Sequence, residues 1–496
     1  MHPITAAGTL PAAWARGWEA APEQPALAGP DRRWWSAAEL EDHTARAARR
    51  LLATGAVPGD RVVLRGPSSL DLVVAHLGVL RAGLVSVPLN PSVPASEAAR
   101  LLALARPRVA MAAAGAGDDL GEALGDAVVL SLADEGRRAP DRSTGAAGAA
   151  ADRTLDAARP ADPALLLFTS GTTGEPKGVV LSHANLLAGA AAVVDAWAWT
   201  PEDRLVLALP LFHLHGLGLG VHGTLLAGAS ATIRPGFDPD DLATTIPTER
   251  ATLFFGVPTM YRRLARAGRA EVLAPLRLVV SGSAPLPIDL FEAVEAMSGH
   301  RLLERYGLTE TVMVASNPLV GERRPGTVGR PLPGVEVRLA PGSDEILVRG
   351  PSVFRGYLDR PDATAEAFVD GWFRTGDLGA FDPDGYLRIV GRAKELIISG
   401  GSNVHPREVE DALRAHPGVV DVAVIGVPDD DWGEAVVAVV EAPDVAAADR
   451  RALADALAAR AATTLAPAKR PKRITVVDAL PRNALGKITK AALVDP

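Results

Sequence analysis

The stretch Phe168-Thr-Ser-Gly-Thr-Thr-Gly-Glu-Pro-Lys-Gly178 gathers residue types that handle phosphate. An apolar run over residues 164–168 reads as a buried strand. It stops at Thr169, Ser170, Gly171, Thr172, Thr173 and Gly174, which supply hydroxyls and glycines but no charge, and Lys177 follows. Glycines let backbone N–H groups approach an oxyanion, hydroxyls donate to it, and a lysine adds a point charge. Those are the needs of a polyphosphate. The run is not a Walker A loop, which requires Gly-x-x-x-x-Gly-Lys-Ser/Thr; here Lys177 follows Pro176. An arbitrary Gly/Thr run is more often a flexible surface loop, and the strand–loop–Lys order is what favours the phosphate reading.

Two other patterns invite chemistry and fail on inspection. Gly218-Leu-Gly220-Val-His-Gly223 matches Gly-x-Gly-x-x-Gly with Asp238 and Asp240 downstream. A lone match is weak, and two histidines intervene between the preceding strand and the glycines. His213, His215 and His222 lack a nearby cysteine or carboxylate to complete a metal set, so core or pocket roles are expected for them.

The elements that must position these residues follow from pattern. A capping box at Ser36–Glu39 opens a helix running to Leu52. Residues 61–65 and 84–89 read as strands around a helix at 70–82, and the alternation implies parallel βαβ units. Residues 111–160 read as a variable connection around one strand at 127–132. Apolar strands at 205–209, 251–255 and 276–280 each end in a loop of Gly, Pro, Ser or His, where open α/β sheets bind ligands. From about Glu345 short alternating strands and Gly-rich turns suggest a small β subdomain. A compact α/β unit follows, with a helix from about Pro406, paired strands near 421–441, a helix over about 449–465 and a final turn bearing Lys487.

With 496 residues the chain has room for two or three domains. A net charge of −8 argues against nucleic-acid binding and against a basic membrane patch. The absence of cysteine excludes disulfides, a thiolate nucleophile and cysteine-based metal sites. No signal peptide is evident at the N-terminus, so a cytoplasmic location is expected. Residues 205–233 carry no Asp, Glu, Lys or Arg, but Pro210 and five glycines make them a buried strand-turn-helix and not a membrane span.

Four stretches taken together, residues 168–177, Arg305-Tyr-Gly-Leu-Thr-Glu310, Thr375-Gly-Asp377 and residues 481–487, resemble the adenylate-forming acyl-CoA synthetase superfamily across essentially the whole chain. The resemblance implies a large N-terminal domain of two αβ sheets plus a distorted β-barrel (residues 1–393) and a small mobile α+β domain (residues 394–496). It implies ATP, Mg²⁺ and coenzyme A, with a carboxylate attacking the α-phosphate and CoA then displacing AMP. It places Thr169, Ser170, Gly171, Thr172, Thr173, Gly174 and Lys177 around the departing pyrophosphate. Thr309 falls on the α-phosphate, and Glu310 on Mg²⁺. Around adenine and ribose it places Tyr306, Gly307, Glu304, the Ser283-Ala284-Pro285 backbone, Asp377 and Arg392. Lys487 is implied to bridge the attacking carboxylate and the α-phosphate, where a cation stabilises concentrating negative charge. Lys394 aligns with the hinge; Ser399, Gly400, Gly401 and Trp432 are implied on the CoA side, although Trp432 reads equally as a packing residue.

The acid is implied by Arg305. Relatives that take uncharged acids place a small residue just before the Tyr-Gly-x-Thr-Glu motif. An Arg entering an acyl pocket is costly unless an anion meets it. A second substrate carboxylate would meet it, whereas the alternative is an ion pair with Glu304 or another acid. The surrounding sequence resembles the malonyl-CoA synthetases, which use malonate and often methylmalonate, with His213 and Ser283 expected in the same pocket. A ligase for another short- or medium-chain or aryl acid, or an adenylation domain loading a carrier protein, would share the nucleotide motifs. A monomer or weak homodimer is expected.

Overall fold

Buried apolar runs alternating with helices build two largely parallel sheets in the computed structural model of the protein, which describes residues 5–115, 121, 123–132, 154–170, 175–482 and 487–493. The first sheet has six strands in the order Val128–Ser131, Val109–Ala112, Arg61–Arg65, Val85–Leu89, Pro163–Ser170 and Pro176–Ser182. All neighbours are parallel except the last pair. That pair is a hairpin in which Thr169 lies opposite Lys177, so the two apolar runs flanking the Gly/Thr stretch are partners. The expected capping box is present: Ser36 accepts from Glu39 N while the Glu39 carboxylate accepts from Ser36 N, opening the helix Ala37–Ala53.

The second sheet has nine strands. Its six central strands are parallel, in the order Leu303–Tyr306, Leu278–Ser281, Leu253–Gly256, Arg204–Leu207, Ser230–Ile233 and Pro25–Ala28. The chain fills one side of Arg204–Leu207 first and the other side afterwards, which makes that strand a topological switch point. Loops leaving the carboxyl ends there converge on one crevice. These are the loops holding His213 and His215, residues 282–287 and residues 307–313.

After Val335 the sequence turns to short antiparallel strands: Glu336–Leu339, Glu345–Arg349, Phe368–Val369, Trp372–Phe381 and Leu387–Arg392 form a five-stranded sheet. The mixed sheets and this half-barrel give the α/β architecture expected from sequence. A final five-stranded sheet unites Ser402–Val404, Ile397–Ser399, Gly433–Glu441, Asp421–Asp429 and Arg473–Val477. Its apolar face packs on the helices Pro406–Arg414 and Arg450–Thr464 around Val409, Leu413, Val424, Val436 and Leu457, a core that draws only on residues from Ile397 onward.

The span 205–233 resolves into the strand Arg204–Leu207, a π-helical turn at His215–Val221, the helix His222–Leu226 and the strand Ser230–Ile233. Among the described residues no helix is long and apolar enough to cross a membrane. Gly218, Gly220 and Gly223 lie inside this helical run. An added Cβ would strike Leu214, Leu207 and Trp199 respectively, so these glycines serve close packing and not a dinucleotide. His222 is buried with its Nε2 3.1 Å from His76 Nε2, and no group of three or more metal-ligating side chains occurs among the described residues.

Candidate active site

Strand Leu303–Tyr306 ends at the crevice, and its alternation sends Arg305 to one face and Glu304 and Tyr306 to the other. The Glu304–Arg305 ion pair weighed from sequence therefore does not form. Glu304 instead accepts from Leu286 N at 3.0 Å. Arg305 is buried, with 6% of its surface exposed. Its Nε and Nη2 have no hydrogen-bond partner among the described residues. Burial alone pulls its pKa down to about 10. The backbone at Gly282 lies flat against the guanidinium: a Cβ there would fall 2.4 Å from Arg305 Nε.

His215 borders this corner, with His213 close beside it. Burial lowers the His215 pKa well below the usual histidine range, and the charge of Arg305 and nearby His213 lower it further. His213 is held near 4 by burial. Ser283 Oγ lies 3.2 Å from His215 Nδ1, at a backbone φ of +68° that side-chain-bearing residues rarely adopt. Beside Arg305 and Ser283 of the expected trio stand His215 and Gly282, neither of which the sequence assigns to the acyl substrate. The sequence offers His215 a core or pocket role, and its contact with Ser283 at the Arg305 corner is the pocket one. Gly282 carried no signal beyond its place in a Ser-Gly-Ser loop.

On the opposite face the charges are satisfied internally. Tyr306 Oη donates to Asp377 Oδ2 at 2.5 Å, and Arg392 Nε lies 2.6 Å from Asp377 Oδ1. Strand Trp372–Phe381 supplies Asp377 and its neighbour Leu387–Arg392 supplies Arg392 in register opposite it. Burial pushes the Asp377 carboxyl above its ordinary value despite Arg392 and the Tyr306 hydrogen bond. Burial and the facing Asp377 drive the Tyr306 phenol well above its ordinary value, so it stays a donor.

The loop after Tyr306 is closed tightly. Leu308 N donates to Thr311 Oγ1 at 3.0 Å, and Met313 N donates to Thr311 O at 2.6 Å across Val312. Val312 has φ +57°, a γ-turn that is costly for a β-branched residue, on the order of 1–3 kcal/mol. Packing enforces it: Val312 is buried, and Gly189 leaves room where a Cβ would come within 2.4 Å of Val312 Cγ1. Gly307 meets the returning strand, its missing Cβ only 2.5 Å from Val312 O. This turn fixes Thr309 and Glu310 at the crevice. Tyr357 Oη donates to Glu310 Oε1 at 3.1 Å, and burial raises the Glu310 pKa.

Tyr357 also links this loop to the hairpin. Lys177 Nζ stands 4.9 Å from its ring centroid, and Leu358 N donates to Gly178 O at 2.8 Å. Thr169 Oγ1 donates to Lys177 O at 3.4 Å. Ser170 ends its strand, and Gly171, Thr172, Thr173 and Gly174 lie outside the described residues. Tyr357 had no motif to mark it in the sequence. Beyond the Ser283–Ala284–Pro285 turn, Leu286 N holds Glu304, whose carboxyl is pushed up to about 7 by burial.

Lys487 comes to the edge of this ensemble. Its side chain keeps solvent access, while desolvation and the charge of Arg392 lower its pKa against the pull of Glu395 and Asp377. The loop bearing it is pinned by Arg482, which pairs across a β-bridge with Ile488. Lys394 is exposed in the one-turn helix Ala393–Glu395 that joins the third sheet to the fourth. Ser399, Gly400, Gly401 and Trp432 form a separate cluster. Gly400 (φ +56°) and Gly401 (φ +76°) make the two-residue turn of a hairpin, a geometry suited to glycine. Gly400 N donates to Trp432 O at 2.9 Å, Ser399 is buried beneath, and Lys472 Nζ lies 3.6 Å from the Trp432 ring centroid.

The Glu310 carboxylate would supply a hard oxygen ligand to a magnesium ion, which would neutralise phosphate charge. One carboxylate does not make an all-protein metal cage.

Residues 14–358 match the family model for AMP-binding enzymes, and residues 408–487 match the AMP-binding enzyme C-terminal domain. A feruloyl-CoA synthase from Amycolatopsis sp is 39% identical over 91% of this chain and 92% of its own. The ATP-bound structure of MatB from Rhodopseudomonas palustris superposes with a TM-score of 0.89 at 38% identity, covering 98% of both chains. A malonyl-CoA ligase in a ternary product complex with methylmalonyl-CoA and AMP is 42% identical, with a TM-score of 0.67 over 93% of this chain and 97% of that one.

Proposed function

Because the chain belongs to the AMP-binding enzyme family, we propose that it ligates malonate, and methylmalonate, to coenzyme A through an acyl-adenylate, releasing AMP and pyrophosphate. The observation that carries the choice of acid is the buried guanidinium of Arg305 with two unpartnered nitrogens. An unmet buried charge costs several kcal/mol, and a second carboxylate on the substrate relieves it with charge-assisted hydrogen bonds. His213, His215 and Ser283 line the remainder of that corner. The chain divides at the Lys394 hinge into residues 1–393 and 394–496. The reaction takes place in the cytoplasm, in a monomer or weak homodimer.

The residues have distinct tasks. Lys177 and the Thr169–Gly174 run, including Ser170, hold the leaving pyrophosphate. Thr309 donates to the α-phosphate. Glu310, oriented by Tyr357, holds Mg²⁺, which neutralises phosphate charge. Asp377 accepts from the ribose, with Arg392 and Tyr306 fixing its carboxylate; the Tyr306 ring and the Gly307 and Ser283–Pro285 backbones flank adenine. Lys487 enters from the small domain between substrate carboxylate and α-phosphate, two anions that otherwise repel. Withdrawing such a group costs on the order of 3 kcal/mol or more in the barrier. Rotation about Lys394 then removes Lys487 and admits CoA along Ser399–Gly401 and Trp432.

Pyrophosphate release over acetate, butyrate, malonate, methylmalonate, succinate and ferulate tests this reading. Malonate and methylmalonate are expected to lead. A lead for ferulate would replace the dicarboxylate assignment with that of the feruloyl-CoA synthase relative.

A further inference from the structure

The helix Pro258–Arg266 begins immediately after the strand Leu253–Gly256, beside the crevice. Its Arg262 is half-buried and reaches the C-terminal unit. Arg262 Nη1 donates to the carbonyl of Val420. The charge of Asp421 attracts the same guanidinium, as does that of Asp289, against repulsion from Arg414 and Arg266. Asp421 is itself buried and fully used: Oδ1 accepts from Arg414 Nε at 3.2 Å and Oδ2 from Arg482 Nη2 at 2.9 Å. Arg482 Nη2 also donates to Glu441 Oε2 at 2.9 Å. Through its bridge to Ile488, Arg482 sets the base of the loop that carries Lys487. A second contact, Arg407 Nη1 to Ile389 O at 2.7 Å, ties the same face of the small unit to the third sheet.

We propose that Arg262 is a positioning residue that docks the Lys487 loop for the adenylation step, acting through Val420, Asp421 and Arg482. The chain of contacts runs from a helix of the large unit to the base of the catalytic loop without touching substrate. A rotation about Lys394 moves Val420 and Asp421 off Arg262, so the contact stabilises one domain arrangement and is lost in the other. This inference rests on the two-step reading above. A docking contact of this kind shifts the population that presents Lys487 and leaves the chemistry of the bound groups alone.

The experiment compares two half-reactions in Arg262→Ala, Arg262→Lys and Arg482→Ala: malonate-dependent pyrophosphate release, and thioester formation from supplied malonyl-adenylate and CoA. Loss of a charged hydrogen bond predicts pyrophosphate release lower by about tenfold to a hundredfold in Arg262→Ala, with thioester formation within about twofold of the parent. Arg262→Lys, which keeps the cation, is expected to recover part of the loss, and Arg482→Ala to show the same split. Equal loss in both half-reactions, or no loss in either at an unchanged melting temperature, overturns the proposal. Lys487→Ala separates the two levels of inference. If it leaves pyrophosphate release intact, the two-step reading falls; if it splits the half-reactions and Arg262→Ala does not, only the docking role falls.

Discussion

The two faces of strand Leu303–Tyr306 treat charge in opposite ways. On one face Arg305 is buried and its Nε and Nη2 have no partner among the described residues. On the other, Tyr306, Asp377 and Arg392 satisfy one another before any nucleotide arrives. Glu304, one residue away, is intermediate: one carboxylate oxygen is held by Leu286 N and the other is buried with no partner among the described residues. A self-paired set is preorganised, and it offers a ligand fixed geometry with little rearrangement. An unpaired buried charge is instead incomplete until the ligand supplies the counter-ion. The first arrangement suits a nucleotide common to a whole family; the second suits a feature that separates one acid from another.

The largest expected effect breaks the unpaired side. Arg305→Gly is expected to lower kcat/KM for malonate by at least about a hundredfold, the scale for losing one partner of a buried charge pair, while butyrate activity changes far less. The same logic gives a stability test: Arg305→Met is expected to raise the unfolding free energy of the ligand-free protein by about 1–4 kcal/mol in urea titration, because a buried unmet charge is removed. A fall in stability would mean that Arg305 has a partner after all.

Breaking the paired side is expected to act on the nucleotide. Asp377→Asn weakens a charge-assisted acceptor and is expected to raise the KM for ATP by about tenfold to a hundredfold, leaving the KM for malonate in place. Parallel losses for both substrates would erase the distinction between the faces. Burial lowers the Arg305 pKa to about 10, so above that pH malonate activity should fall more steeply than butyrate activity, which keeps only the limb set by Lys487.

The smallest effect concerns Glu304. Its folded pKa, about 7, lies above the ordinary carboxyl value, so the fold favours the protonated form. The stability it contributes is complete below pH 4.5 and is lost as pH rises through 7. Glu304→Gln removes that dependence and is expected to gain up to about 3 kcal/mol over the parent on going from pH 4.5 to 8, read by urea denaturation. The buried histidines act with the opposite sign. His183 and His213 are held near 4, so stability present above pH 6.5 falls as pH drops toward 4 in both proteins.

Much of this was legible in the chain because it is local. The capping box at Ser36 and the buried strands flanking the Gly/Thr run depend on residues close in sequence, where hydrogen-bonding needs and hydrophobic period act directly. The charge of Arg305 was legible too, as was the implausibility of burying it alone. Composition excluded cysteine chemistry outright.

What tertiary structure decided is who meets whom. Strand alternation, and not proximity in sequence, separated Arg305 from Glu304. Parallel pairing brought Ser283 to His215 across 68 residues, and antiparallel pairing set Arg392 opposite Asp377. Tyr357 reached Glu310 and Lys177 only because its segment runs beside the hairpin, and Arg262 reached Val420 across 158 residues. Such partnerships rest on register and on the packing of distant elements, and no local pattern records them.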